Sequence, residues 1–322
     1  MAETKAKLIK SKDGIVGKVA NRKKLVDIEF ASGVTVIESG AFAGCTLLET
    51  VVFPDGLAEI QNSAFDGCVA LKSISLPFSV RIIGGNAFNG CVNLNKVELN
   101  DGLEQIGMSA FRNCGAIACM KIPSSVKKVG DWAFFHNTLL TDIDIQCSAD
   151  ASFGYSVFEG CSSIKSVEIP GIDRMGGEMF AQCTCLKNVT IAEGVKIIGQ
   201  RAFDGCAKLS GLKLPKSIVR IEEQAFDGCL DVKVEGRTMI KFRPHPFDED
   251  QHKSLIEDFE NGGCDLANSC GLSPKDTLLV DISILDQGEI ADGLYWYDDP
   301  EAGFSWCYYW DHQRCAAEGA LA

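Results

Sequence analysis

Apolar residues recur along most of this 322-residue chain with a period of 23 positions. The clearest marker is a phenylalanine, usually preceded by alanine, whose copies lie 23, 23, 23, 23, 24, 22, 23 and 23 residues apart. These phenylalanines are Phe42, Phe65, Phe88, Phe111, Phe134, Phe158, Phe180, Phe203 and Phe226. Because self-similarity at a fixed period of this length is the signature of repeat architectures, the pattern predicts about nine copies of one structural unit.

The pattern inside each unit predicts two short extended segments. In the second unit, Ile74 and Leu76 alternate with serines, which is typical of a strand with one buried face. A second apolar pair, Val80 and Ile83, predicts another extended piece on the other side of the coil. One such unit is too small to bury its own apolar side, so we expect the units to stack into a solenoid that is mostly β-structure.

A cysteine follows each marker phenylalanine by three positions, except in the fifth unit, where Asn137 takes its place. The cysteines are Cys45, Cys68, Cys91, Cys114, Cys161, Cys183, Cys206 and Cys229. A small, weakly polar side chain suits a position that points inward and meets backbone carbonyl groups of the turn, and asparagine can do the same. We therefore expect reduced thiols that support the coil, rather than disulfides or a catalytic or metal-binding device.

The period and the L-x-x-I-x-L spacing lie in the range of leucine-rich repeats. The stretches IGQRAFDGCAKLSGLKLPKSIVRI and IQNSAFDGCVALKSISLPFSVRI resemble the BspA-like leucine-rich repeats, and the resemblance covers residues 25–236. It implies an elongated, non-catalytic scaffold that is used in adhesion or protein binding.

The formal charge of −13 is unevenly distributed and helps to divide the chain. Residues 1–24 carry eight Lys/Arg against two acidic residues, whereas residues 237–322 carry 17 Asp/Glu against six Lys/Arg. We predict a basic N-terminal arm with a half-repeat cap at 1–33, and a solenoid at 34–236. An acidic, aromatic-rich module of α+β type follows at 237–322. Within this module, DTLLVDISIL predicts a strand and the segment around 250–259 predicts a short helix.

Composition excludes several function classes. An acidic balance without a basic track disfavours nucleic-acid binding. No stretch approaches the roughly 20 apolar residues that span a membrane, and no export signal is visible, so we expect an intracellular, cytoplasmic protein. No phosphate-binding or catalytic motif occurs, which indicates a protein without a cofactor that is not an enzyme and that binds other proteins.

Two surfaces of the solenoid are candidate binding sites. The first is the outward face of the strands, which carries Glu98, Lys121, Asp144, Glu168 and Lys213. A solvated face of mixed charge is the alternative interpretation of these residues. The second is the irregular region that begins in the fifth unit, where Trp132, Phe135 and His136 interrupt the regular pattern. A simple bulge is the alternative there.

The C-terminal module offers a different hypothesis. Four thiols and an imidazole can form a tetrahedral zinc site, and the candidates are Cys264, Cys270, Cys307, His312 and Cys315. Their spacings differ from those of common zinc knuckles, so ordinary thiols are the alternative. If this module binds a ligand or has enzymatic activity, the repeats serve as its mount.

Overall fold

A computed structural model describes residues 7–229, apart from 12, 21, 211 and 213, and the backbone of two later strands at 238–242 and 277–281. The chain winds through stacked coils, and most coils contribute one strand to each of two sides. The described residues contain no α-helix, and a 3-10 turn at Arg22–Lys24 is the one helical element among them.

The first side of the array is formed by the long strands, which supply the outward positions singled out from the sequence. They are β1 (Lys7–Ile9), β3 (Asp27–Phe30), β5 (Thr50–Val52), β7 (Ser73–Ser75), β9 (Lys96–Glu98), β11 (Cys119–Ile122), β13 (Asp142–Ile145), β15 (Ser166–Ile169) and β16 (Asn188–Ile191). Inward residues such as Ile74 are buried, whereas the following Ser75 is exposed, as the alternation predicts.

The second side is formed by strands of two residues each. They are β2 (Ile15–Val16), β4 (Val36–Ile37), β6 (Glu59–Ile60), β8 (Ile82–Ile83), β10 (Gln105–Ile106), β12 (Lys128–Val129), β14 (Ser152–Phe153), β17 (Ile197–Ile198) and β18 (Arg220–Ile221). The first seven pair in one continuous parallel sheet from β2 to β14. The prediction of two extended segments in each unit is therefore confirmed.

The marker phenylalanines form a continuous stack along the interior. From Phe42 to Phe226, neighbouring rings lie nearly parallel, with centroids 5.1–5.8 Å apart. The first eight of these rings are fully buried. Because every coil places the same ring in the same position, each ring fills the space above its neighbour and excludes water from the core.

The cysteines hold adjacent coils together through hydrogen bonds. In each repeat from Cys68 to Cys229, the thiol of the cysteine that follows the marker phenylalanine donates to the carbonyl oxygen of the marker phenylalanine in the preceding coil, at 3.1–3.3 Å. In the fifth coil, Asn137 Nδ2 donates to Phe111 O in the same way, at 3.1 Å. The prediction that this inward position meets turn carbonyls is confirmed, and the described cysteines are free thiols.

These buried thiols are expected to resist chemical labelling in the native protein. Burial raises the pKa of Cys91 and Cys161 to about 12, so that almost none of the reactive thiolate is present at pH 8. Cys119 is exposed on the strand face and should react first among the described cysteines. Mass-spectrometric mapping after brief iodoacetamide treatment checks this, with urea-unfolded protein as the control. Native labelling of Cys91 as fast as Cys119 would contradict the buried row.

Both ends of the described array extend beyond the regular repeats. Residues Lys7–Ile9 and Ile15–Val16 add a further coil before the half-unit expected from the sequence. At the other end, β19 (Thr238–Phe242) and β20 (Thr277–Asp281) continue the short-strand side in the order β17-β18-β20-β19. The strand predicted in DTLLVDISIL is confirmed for its first part, Thr277–Asp281, which forms β20. The rest of that segment and the helix predicted around 250–259 lie outside the described residues.

Candidate functional site

The long-strand side presents the predicted charged residues to solvent. Glu98, Lys121, Asp144 and Glu168 are all exposed at outward strand positions. Lys213 lies outside the described residues. Register places Lys121 directly opposite Asp144 on adjacent strands, so these two residues form the centre of the surface.

The hydrogen-bonding ladder of this side is interrupted on both sides of that centre. Strands β1 to β9 form one sheet, β11 and β13 form a second, and β15 and β16 form a third. Within the described chain, no bridge joins β9 to β11 or β13 to β15, although the short-strand sheet runs unbroken from β2 to β14. The pair β11–β13 is therefore a two-stranded island whose two edges lack ladder partners.

A shallow depression with a volume of about 350 Å³ spans this island and both gaps. Its apolar lining includes Met120, which is buried, and Val97 and Ile143, which are partly exposed. Its polar lining comes from outward side chains of three strands: Cys119, Lys121, Asp142, Asp144 and Ser166. The depression thus combines an apolar surface with both signs of charge.

The carboxylates of this surface differ in their partners. Lys96 Nζ lies 2.7 Å from Glu98 Oε1, and this contact lowers the pKa of the Glu98 carboxyl and raises that of Lys96. Asp142 instead accepts a hydrogen bond from Thr141 Oγ1 at 2.6 Å, and Asp144 accepts one from Gln146 Nε2 at 2.8 Å. Within the described chain, neither aspartate has a lysine or arginine at ion-pair distance.

The second candidate surface lies at the corner of the fifth coil. Phe135 and His136 stack with their ring centroids 4.0 Å apart, and the Arg112 guanidinium carbon lies 4.9 Å from the centroid of the Phe135 ring. His136 replaces the glycine that most coils place there and has φ +56°, while its ring covers the next corner glycine, Gly160. Trp132 also has positive φ and is 36% exposed. The predicted aromatic group therefore exists, although Phe135 is only partly exposed.

A polar network that the repeat pattern does not predict lies beside this corner. Tyr155 donates its hydroxyl hydrogen to Gln200 Oε1 at 2.9 Å, and its ring lies over Gly177, where a β-carbon would be 2.4 Å from the ring. Arg174 Nη2 donates to both carboxylate oxygens of Glu222, at 2.7 and 2.6 Å. These contacts skip a coil, since the partners are 45 and 48 residues apart.

The irregular spacing in the sequence was the available signal for that network. The 22-residue interval ends at Phe180, and in its coil a single bridge from Arg174 to Ile197 replaces the short strand. Side chains two coils apart therefore connect this region, where the regular backbone ladder is reduced. We interpret the network as structural.

No candidate metal-binding site is present in the described part of the chain. The described residues contain no group of three or more His, Cys, Asp or Glu side chains arranged to hold a metal ion. The five residues proposed for zinc, Cys264, Cys270, Cys307, His312 and Cys315, all lie outside the described residues. Across the described part of the chain, no helix is long and apolar enough to cross a membrane.

Solved structures of other repeat proteins resemble this chain. A leucine-rich repeat protein of T. pallidum is 32% identical, over 49% of this chain and 78% of that one, with a TM-score of 0.46. A leucine-rich repeat protein from Bacteroides ovatus is 21% identical, over 79% and 89%, with a TM-score of 0.42. The pneumococcal vaccine antigen PcpA is 24% identical, over 74% and 66%, with a TM-score of 0.49.

The family assignment rests on the repeated sequence itself. No curated protein matches the chain significantly. The profile of the BspA type leucine rich repeat region matches residues 18–141, 58–184 and 105–233 in overlapping segments. These matches include every marker phenylalanine and cover most of the chain. This chain belongs to the BspA-type leucine-rich-repeat family.

Proposed function

We propose that this chain is a non-enzymatic scaffold that binds a protein partner through the long-strand side of its solenoid. The observation that carries the proposal is the depression around Lys121 and Asp144, where an apolar lining is framed by exposed charges. Such a combination of apolar contact area with charged groups at its rim is typical of protein-binding surfaces. The stacked interior beneath it provides a rigid mount, and rigid presentation reduces the entropic cost of binding.

The proposal assigns a role to each part of the chain. Residues 34–236 form the binding array, residues 1–33 cover its first end, and residues 237–322 form a module at its other end, joined to the array through the pairing of β20 with β18. The eleven described free cysteines favour a reducing compartment, so an intracellular, cytoplasmic location belongs to the same proposal. The family supports a scaffold role, since repeat solenoids present extended binding surfaces.

A charge exchange on the strand face tests the proposal without changing net charge. In the double variant Lys121→Glu, Asp144→Lys, we expect recovery of specific partners in quantitative pull-downs to fall at least about tenfold. Each position then presents to the partner the charge opposite to its native one, so a complementary contact becomes repulsive. The matched control is Asp101→Lys, Lys128→Glu, which exchanges two exposed charges away from the long strands. Equal recovery by the strand-face variant, the control and the wild type would reject this face as the binding surface.

A further inference from the structure

The depression on the β11–β13 island has features that specify a class of ligand. We propose that it binds a lysine or arginine side chain from an extended, cationic segment of the protein partner. This inference rests on the proposed function and adds the chemistry of the partner to it.

The depression carries two negative charges, those of Asp142 and Asp144, that are not paired with a described cationic side chain. Asp142 and Asp144 are exposed, line the same depression and lack a cationic partner at ion-pair distance within the described chain. Their hydrogen bonds come from the neutral side chains of Thr141 and Gln146, which hold the carboxylates in place without neutralising them. The neighbouring Glu98, in contrast, is already paired with Lys96. A cation that reaches the depression therefore meets oriented acceptors at little reorganisation cost.

The charge of the whole strand face favours the same ligand. Its outward positions on the described long strands carry the acidic residues Asp27, Glu29, Glu98, Asp142, Asp144 and Glu168 and the basic residues Lys96 and Lys121. Acidic side chains thus outnumber basic ones by six to two on this face. Complementary potential accelerates encounter with a cationic segment and disfavours an acidic one.

Shape and apolar lining fit a long cationic side chain. Asp142 and Asp144 flank Ile143 along β13, and outward residues two positions apart are about 6.6 Å from each other along a strand. A guanidinium or ammonium group placed between the two carboxylates leaves its methylene groups along the floor of the depression beside Ile143, whose inward side chain is partly exposed.

Lys121 allows a more specific test, because it lies across from Asp144 and competes with any incoming cation. Replacing this lysine by an uncharged side chain of similar length removes the competitor and leaves both aspartates. The variant Lys121→Met should therefore strengthen binding, a change that loss of folding cannot imitate.

Binding of defined peptides tests the inference on the full-length chain. The probe is a fluorescein-labelled heptapeptide of alternating threonine and arginine, and its neutral counterpart has citrulline in place of arginine. Fluorescence anisotropy at about 0.15 M salt should show that the arginine peptide binds the wild type. Its binding to the double variant Asp142→Asn, Asp144→Asn should be at least about tenfold weaker. The matched control is Asp27→Asn, Glu29→Gln, which removes the same charge from outward positions of β3 on the same face. We expect this control to bind like the wild type and Lys121→Met to bind a few times more tightly.

Several outcomes would overturn the inference. They are no binding of the arginine peptide, equal binding of the citrulline peptide, equal losses in both neutralised variants, or weaker binding by Lys121→Met. If the pull-down depends on the Lys121 and Asp144 exchange while the peptides fail, the proposed function stands and the cationic ligand is rejected. If the peptides behave as expected while the pull-down is insensitive, the cationic site stands and the scaffold proposal fails at this face.

Discussion

Replacing Phe111 by alanine is expected to lower the free energy of unfolding by about 3–5 kcal/mol. Phe111 is fully buried and stacks between Phe88 and Phe134, with centroids 5.3 and 5.5 Å away. Truncation leaves a cavity in the middle of the stack, since the rings on either side are fixed by their own coils. The lost ring contacts add about 0.5–1.5 kcal/mol for each aromatic pair to the cost of lost burial.

Urea denaturation followed by circular dichroism measures this effect, and the chain offers a matched control. Phe78 is 68% exposed in a turn of the second unit, so Phe78→Ala should change stability by no more than about 0.5 kcal/mol. A similar loss for both variants, or less than about 1 kcal/mol for Phe111→Ala, would show that the stack does not support the fold.

Replacing Gly130 by alanine is expected to destabilise the protein by about 2–3 kcal/mol through a backbone clash. A β-carbon on Gly130 would lie 2.5 Å from Met108 N and 2.8 Å from Gly107 C in the preceding coil. These are backbone atoms, so the clash is relieved only by moving adjacent coils apart. Several other coils have glycine at the equivalent position, as at Gly107, where the distance to Gly84 C is also 2.5 Å.

Gly115 provides the control for that substitution. A β-carbon there would meet Thr138 Oγ1 at 3.8 Å, which is ordinary contact, and its backbone is outside the left-handed region. Gly115→Ala should therefore be neutral or stabilise by about 0.4–1 kcal/mol, because alanine restricts the unfolded chain. Thermal and urea unfolding of the two variants side by side checks the difference. Equal stability of the two variants would contradict the close approach of coils at Gly130.

The interior of the fold was predictable because each structural requirement is repeated. Nine copies of the phenylalanine position and eight cysteines identify residues that meet the same surroundings in every coil. Asn137 was informative as the exception, since it keeps the ability to donate a hydrogen bond that the cysteines share. Because the unit is repeated, the copies within one sequence can be compared with each other, as related sequences are compared for a protein without repeats.

The interruptions were not predictable, because they depend on how irregular coils stack. The 24- and 22-residue intervals indicated disturbance near Phe158, but not that the ladder breaks on both sides of β11–β13. The partners of Tyr155 and Arg174 lie two coils away, beyond the nearest-neighbour pairing that a repeat pattern implies. The first coil was also missed in part, since residues 7–16 lack the marker motif.

Of the eight residues that line the depression, the sequence predicted two. The alternation of the I-x-L pattern placed Lys121 and Asp144 on the outward face. It did not include Asp142, because the prediction was based on the apolar pair Ile143 and Ile145 and the strand begins one residue before that pair. The depression lies where the strand ladder is interrupted, and this interruption cannot be predicted from the sequence of one unit.

The anomalous sulfur positions in a crystal of the protein test the central claim, a shared interior of stacked coils, most directly. We predict that the sulfurs from Cys45 to Cys229 in the repeats lie in one row, with neighbours roughly 5 Å apart. A single interval of about twice that length should separate Cys114 from Cys161, where Asn137 stands in the row. Sulfurs joined in pairs at about 2 Å, or scattered without a common line, would contradict the stacked solenoid and the binding face built on it.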